Sequence, residues 1–244
     1  MKIAKYLVAS TFLVTGFGIA GQGASAEGGE YDSNVTITFA PYTGITPPVD
    51  PENPGERANP EPTPNPGTSG PLSIDFASSF DFGIQEITTQ DMVYNSAAQK
   101  VNITDDQGVT TQELRPNYVQ VSDNRGTETG WTLQVRQDAQ FETADNDVLD
   151  GAAIKILNNN VNTSSTSPVP STVPAEIDLV PGTPSTVVAA KDAEGAGTYV
   201  SRFGKANDGN MDKSVQLSVP GSTTKYAKEY NTTLTWILTD TPAN

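Results

Sequence analysis

The chemistry open to this chain rests mainly on carboxylates. Asp75, Asp81, Glu86, Asp123, Asp138 and Asp240 are available, and a glycosidase needs only two such groups flanking a glycosidic bond. No apolar surround and no motif singles out a pair. Surface exposure is the ordinary fate of Asp and Glu, so no catalytic residue is assigned and the chain is not read as an enzyme. The run Asp145-Asn146-Asp147-Val148-Leu149-Asp150-Gly151 invites a calcium reading. An EF-hand loop wants a ligand at its fifth position and glycine at its sixth; Leu149 and Asp150 stand there, and Gly151 comes one place late. A turn at Asp150-Gly151 fits better, and no metal or cofactor is expected.

The 244 residues contain no His and no Cys. That removes the Ser-His-Asp triad, the HExxH zinc site, thiol nucleophiles and any disulfide framework. With 29 acidic and 14 basic residues the formal net charge is −15. Nucleic acid and anionic lipid both recruit Lys and Arg, so neither suits this chain as a partner. Lys191, Arg202, Lys205, Lys213, Lys225 and Lys228 fall close together in sequence. They allow a local basic patch, although an ordinary mixed surface is the simpler expectation.

The elements that must position these groups divide the chain in four. Residues 1–26 read as a secretory signal peptide: Lys2 and Lys5 precede an apolar run, and Ala24-Ser25-Ala26 supplies a cleavage site. Its removal would leave no stretch long and apolar enough to span a membrane. Residues 27–40 hold a short alternating stretch, Val35, Ile37 and Phe39 separated by threonines, that reads as a strand. Residues 41–71 contain ten of the 18 prolines and read as a disordered or semi-rigid tether, because proline fixes φ and removes the N–H donor.

Residues 72–244 read as an all-β domain, a sandwich or barrel. Alternation marks strands near residues 72–76, 101–103, 119–121, 131–135, 154–156, 215–219 and 234–238. Turn signals separate them, among them Asn124-Arg125-Gly126 and Pro220-Gly221. Residues 85–100 are expected to hold a helical turn. Residues 158–184, rich in Asn, Thr, Ser and Pro, are expected to form an extended loop or an irregular edge.

The only two tryptophans both lie in W-x-L triplets, Trp131-Thr132-Leu133 and Trp236-Ile237-Leu238. Residues i and i+2 of a strand share a face, so each triplet sets an indole and an isobutyl group on one side of a sheet. Thr132, Gln134 and Arg136 would point the other way. The opposite face of the second strand carries Thr235, Ile237 and Thr239, which suggests that this strand is the more buried. An indole alternating with Leu and Val is first of all core. Two readings stay open beside it: stacking on sugar rings, and a protein interface.

In these motifs the chain resembles the WxL-domain proteins of Gram-positive cell surfaces. Gly70-Pro71-Leu72-Ser73-Ile74-Asp75, Phe80-Asp81-Phe82-Gly83, the block from Val121 through Val135 and the block from Tyr230 through Pro242 carry the likeness. The resemblance implies a secreted protein on the cell wall and cell surface, held non-covalently to peptidoglycan through its C-terminal domain. It also implies Trp131, Leu133, Trp236 and Leu238 as the wall-binding motif, and other cell-surface proteins as further partners. The alternative is a structural subunit of a surface complex whose wall attachment comes from a partner.

Overall fold

The computed structural model describes residues 28–104 and 107–242, in two units, one ending at Thr38 and the other beginning at Phe39. The signal-peptide reading of residues 1–26 lies outside the described residues. The strand expected in residues 27–40 is not formed. Residues 28–43 carry no strand, and Val35, Ile37 and Phe39 are 93%, 75% and 86% exposed. Alternation supplies a side-chain preference, but a strand exists only once a sheet satisfies its backbone.

The second unit is built from antiparallel strands. In chain order they are β1 Ala58–Glu61, β2 Leu72–Ala77, β3 Met92–Asn95, β4 Gln99–Thr104, β5 Thr110–Arg115, β6 Tyr118–Asp123 and β7 Trp131–Gln137. Then follow β8 Ala153–Ile156, β9 Asn159–Thr163, β10 Ile177–Asp178, β11 Ser185–Ala190, β12 Gly197–Phe203, β13 Val215–Val219 and β14 Leu234–Thr239. The sole helical piece among the described residues is the 3-10 turn Ala206–Asp208. Residues 85–100 hold no helix: they run as coil into β3 and β4, since β3 finds a tertiary partner in β13 that outweighs a weak local signal.

The strands form four sheets, ordered β1-β4-β5, β10-β8-β13-β3, β11-β7-β14 and β2-β6-β12-β9. The last is the middle layer. All six residues of β6 are buried, although strand side chains alternate between faces. Val119 and Val121 enter a large core shared with β7, β8, β11 and β13, while Tyr118 joins Phe76, Val101, Val200 and Ala58 in a smaller cluster on the other face.

That second face corrects the tether reading of residues 41–71. From Pro47 onward the proline-rich stretch is a strap on the body. Val49 N–H donates to Gln120 Oε1 at 2.8 Å, and Gln120 Nε2 donates to Pro47 O at 3.1 Å. Asp50, 2% exposed, takes a two-pronged bond from Arg115, with Nε–Oδ1 2.7 Å and Nη2–Oδ2 2.9 Å. Glu52 accepts from Arg202 Nη1 at 2.7 Å. Residues 58–61 then form β1, with Pro60 opposite Val101. An edge strand tolerates proline because its outer N–H positions need no ladder partner.

Candidate functional site

The two W-x-L triplets lie on neighbouring strands and share one face. In the β7–β14 ladder Leu238 stands opposite Leu133 and Trp236 opposite Val135. Residues directly opposed across a ladder point the same way, so both motifs enter the large core. Trp131, Leu133 and Val135 are fully buried, whereas Trp236 and Leu238 are half-buried. The expectation that the second strand is the more buried one is reversed. All six β14 residues are half-buried because β14 is an edge strand, while β7 lies between two partners.

Trp131 is held by chemistry as well as packing. Its indole N–H donates to Gly195 O at 2.9 Å, and its ring lies 6.2 Å from that of Tyr199. Gly195 has φ +82°, and a Cβ there would sit 2.6 Å from Trp131 Nε1. Only glycine combines that backbone with so close an approach. Glu194 pins the same loop, accepting from the N–H of Ser171 at 2.9 Å and of Lys191 at 3.2 Å. Burial pushes the Glu194 carboxyl up, but those donors outweigh it and hold it below the usual range. Trp236 stacks on Phe203 at 6.4 Å, 11° from parallel, and Phe203 meets Phe80 edge-on. Tyr199 and Phe203 escaped the reading of the sequence, although Tyr199, Ser201 and Phe203 alternate with Val200 and Arg202.

The outward face of this strand pair carries Thr132, Gln134 and Arg136 from β7 and Thr235, Ile237 and Thr239 from β14, all half-buried. Asp138 neutralises Arg136 at 2.8 Å and accepts from Thr235 Oγ1 at 2.8 Å. The Thr235 hydroxyl and then Arg136 hold the Asp138 carboxyl below its ordinary value. Beside the start of β14 is an open recess of about 340 Å³, lined by Asp138, Gln140, Glu142, Thr143, Asn231 and Thr232 among others.

The other candidates are dispersed. Asp75 is buried in the β2 bulge and accepts from Ser73, Gln120 and Ser122; burial raises its pKa, against those three bonds. Asp123 binds Arg125 in a fork, and Asp240 also acts on that guanidinium. Asp81 is exposed and caps the N–H of Gly83. Glu86 is exposed. Asp150 and Gly151 sit inside a turn closed by Ala152 N–H on Leu149 O, with Gly151 at φ +74°. Asp145 and Asp147 pair with Lys228. Among the described residues no cluster of three or more His, Cys, Asp or Glu is placed to hold a metal. In the 191–228 window Lys191 faces Glu194, Arg202 faces Glu52 and Lys228 faces Asp145 and Asp147, while Lys213 and Lys225 donate to backbone carbonyls.

A family model described as the WxL domain, surface cell wall-binding, matches residues 26–242. No curated protein and no solved structure matches the chain. No helix among the described residues is long and apolar enough to cross a membrane.

Proposed function

The chain belongs to the WxL family of surface domains that bind the cell wall, and from that premise we propose that it is exported by residues 1–26 and held non-covalently on the peptidoglycan of a Gram-positive wall. The observation that carries this reading is the extent of the match. It runs from residue 26 to residue 242 and so takes in the strap and strands β1 to β14 rather than a terminal appendage.

The first W-x-L triplet serves this function from inside. Trp131 and Leu133 have no exposed surface, so they shape the sheet rather than touch a ligand. The outward residues of the same strands suit a glycan. Gln134 and Thr239 offer amide and hydroxyl groups to sugar hydroxyls, the Thr132 and Thr235 hydroxyls, which donate to Thr241 O and Asp138, can still accept, and Ile237 offers an apolar spot to a sugar C–H face. Arg136 is already paired with Asp138, so this face brings little net charge to an anionic wall.

The test is co-sedimentation of the full chain with purified wall, with tryptophan fluorescence reporting folding. The folded protein is expected in the pellet, and Gln134→Ala with Ile237→Ser is expected to release it without unfolding. Folded wild-type protein left in the supernatant would refute wall binding as an intrinsic property and favour attachment through a partner.

A further inference from the structure

One side of the large core is unfinished. The half-buried apolar residues Leu72, Ile74 and Ala77 of β2 and Leu234, Trp236 and Leu238 of β14 pack against it, and β14 lies against β2. The two edges differ. At Ile74 the outer edge of β2 is taken, with Thr68 N–H donating to Ile74 O at 2.8 Å and Ile74 N–H donating to Thr68 Oγ1 at 2.9 Å. β14 is hydrogen-bonded to β7 on one side and stands at the sheet margin on the other. Exposed edges beside apolar surface are templates for another strand.

The same chain carries a strand-like sequence without a sheet. Val35-Thr36-Ile37-Thr38-Phe39 alternates strictly, and its three apolar side chains are almost wholly exposed. Its five residues match the six of β14, and alternation would set Val35, Ile37 and Phe39 on one face. Neither segment contains a charged residue. In a chain of net charge −15, pairing these two segments would oppose no like charges.

We propose that residues 35–39 of one copy add as a strand to the open edge of β14 in a second copy, laying Val35, Ile37 and Phe39 over the seam beside Leu234, Trp236 and Leu238. Backbone bonding to the edge gives affinity, and the alternate side chains set the register. Two other edges suit this strand less. β5 (TTQELR) has no apolar face, and β10 has only two residues. A strand handed from copy to copy builds a linear array, and a reciprocal exchange closes a dimer.

Sedimentation of the full chain over a concentration series tests this. Association is expected for the wild type, and a monomer of unchanged melting temperature for Ile37→Asp, whose side chain is exposed in the single copy. A wild type that stays monomeric at the highest attainable concentration, or an Ile37→Asp chain that associates equally, would overturn the proposal. The absence of cysteine gives a second handle. Copies carrying Thr36→Cys or Thr38→Cys, mixed with copies carrying Ile237→Cys, should form mixed disulfides about tenfold faster than with copies carrying Val180→Cys, an exposed control. Equal rates would refute the contact. Disulfide closure within a single Thr38→Cys/Ile237→Cys chain at high dilution would overturn the second copy as occupant.

Discussion

At the scale of the residue, the two tryptophans are unequal. Trp131 fills a closed site and spends its N–H on Gly195 O, so Trp131→Ala leaves a cavity and is expected to cost about 3–5 kcal/mol. Trp131→Phe keeps part of the packing but strands a carbonyl, at about 1–3 kcal/mol. Trp236 sits on an edge strand, half-buried, and Trp236→Ala should cost clearly less than Trp131→Ala. Urea unfolding of the three variants decides the order, and equal losses would contradict the burial difference. Glu194 gives a pH prediction. Its folded pKa lies below the ordinary 4.5, so its contribution is complete above about pH 4.5 and fades as pH falls through the folded value. Glu194→Gln should therefore flatten the acid limb of the stability curve in that window and leave its neutral limb parallel to the wild type. The Asp75 carboxyl works with the opposite sign, since burial raises its pKa. Folding then favours its protonated form, and the penalty for its charge is relieved as pH falls.

At the scale of the element, the strap shows what a sequence can and cannot disclose. Strands β2, β4, β6, β7, β8, β13 and β14 were legible because their alternation is local. Residues 47–61 were not, because nothing local distinguishes a proline-rich spacer from one whose Asp50 meets Arg115 across 65 positions. β3, β9, β11 and β12 likewise take their identity from partners far along the chain, whereas β5 pairs with the adjacent β4 but carries too few apolar residues to show an alternation. β6 could be read as a strand but not as one buried on both faces, since Gln120 and Ser122 look like surface residues until the strap and Asp75 satisfy them. The W-x-L stripe was legible in its facing and not in its depth, which depends on sheet order. Two predictions belong here. Asp50→Ala leaves a guanidinium that is 13% exposed without its main partner, and should cost about 3–5 kcal/mol in thermal or urea unfolding. Limited proteolysis of the native protein should cut N-terminal to Pro47 and spare residues 47–61. Cutting within the strap at native rates would mean that it is not seated.

At the scale of the whole molecule, charge decides what kind of adhesion is available. The chain carries 29 acids against 14 bases, and at Arg115, Arg125, Arg136, Arg202 and Lys228 the positive charge is spent on a carboxylate. The net excess of acids repels an anionic polymer, and no acidic cluster among the described residues is built to bridge through a metal. Long-range electrostatics therefore oppose wall binding, and hydrogen bonds and apolar contact must supply the affinity. Repulsion between like-charged surfaces weakens as the screening length shrinks from about 30 Å at 0.01 M salt to about 8 Å at 0.15 M. Wall retention should accordingly rise or stay level across that range, and a chelator should leave it unchanged. Retention that fell steeply with salt would instead mean that attraction between opposite charges holds the protein, which this distribution of ion pairs does not provide.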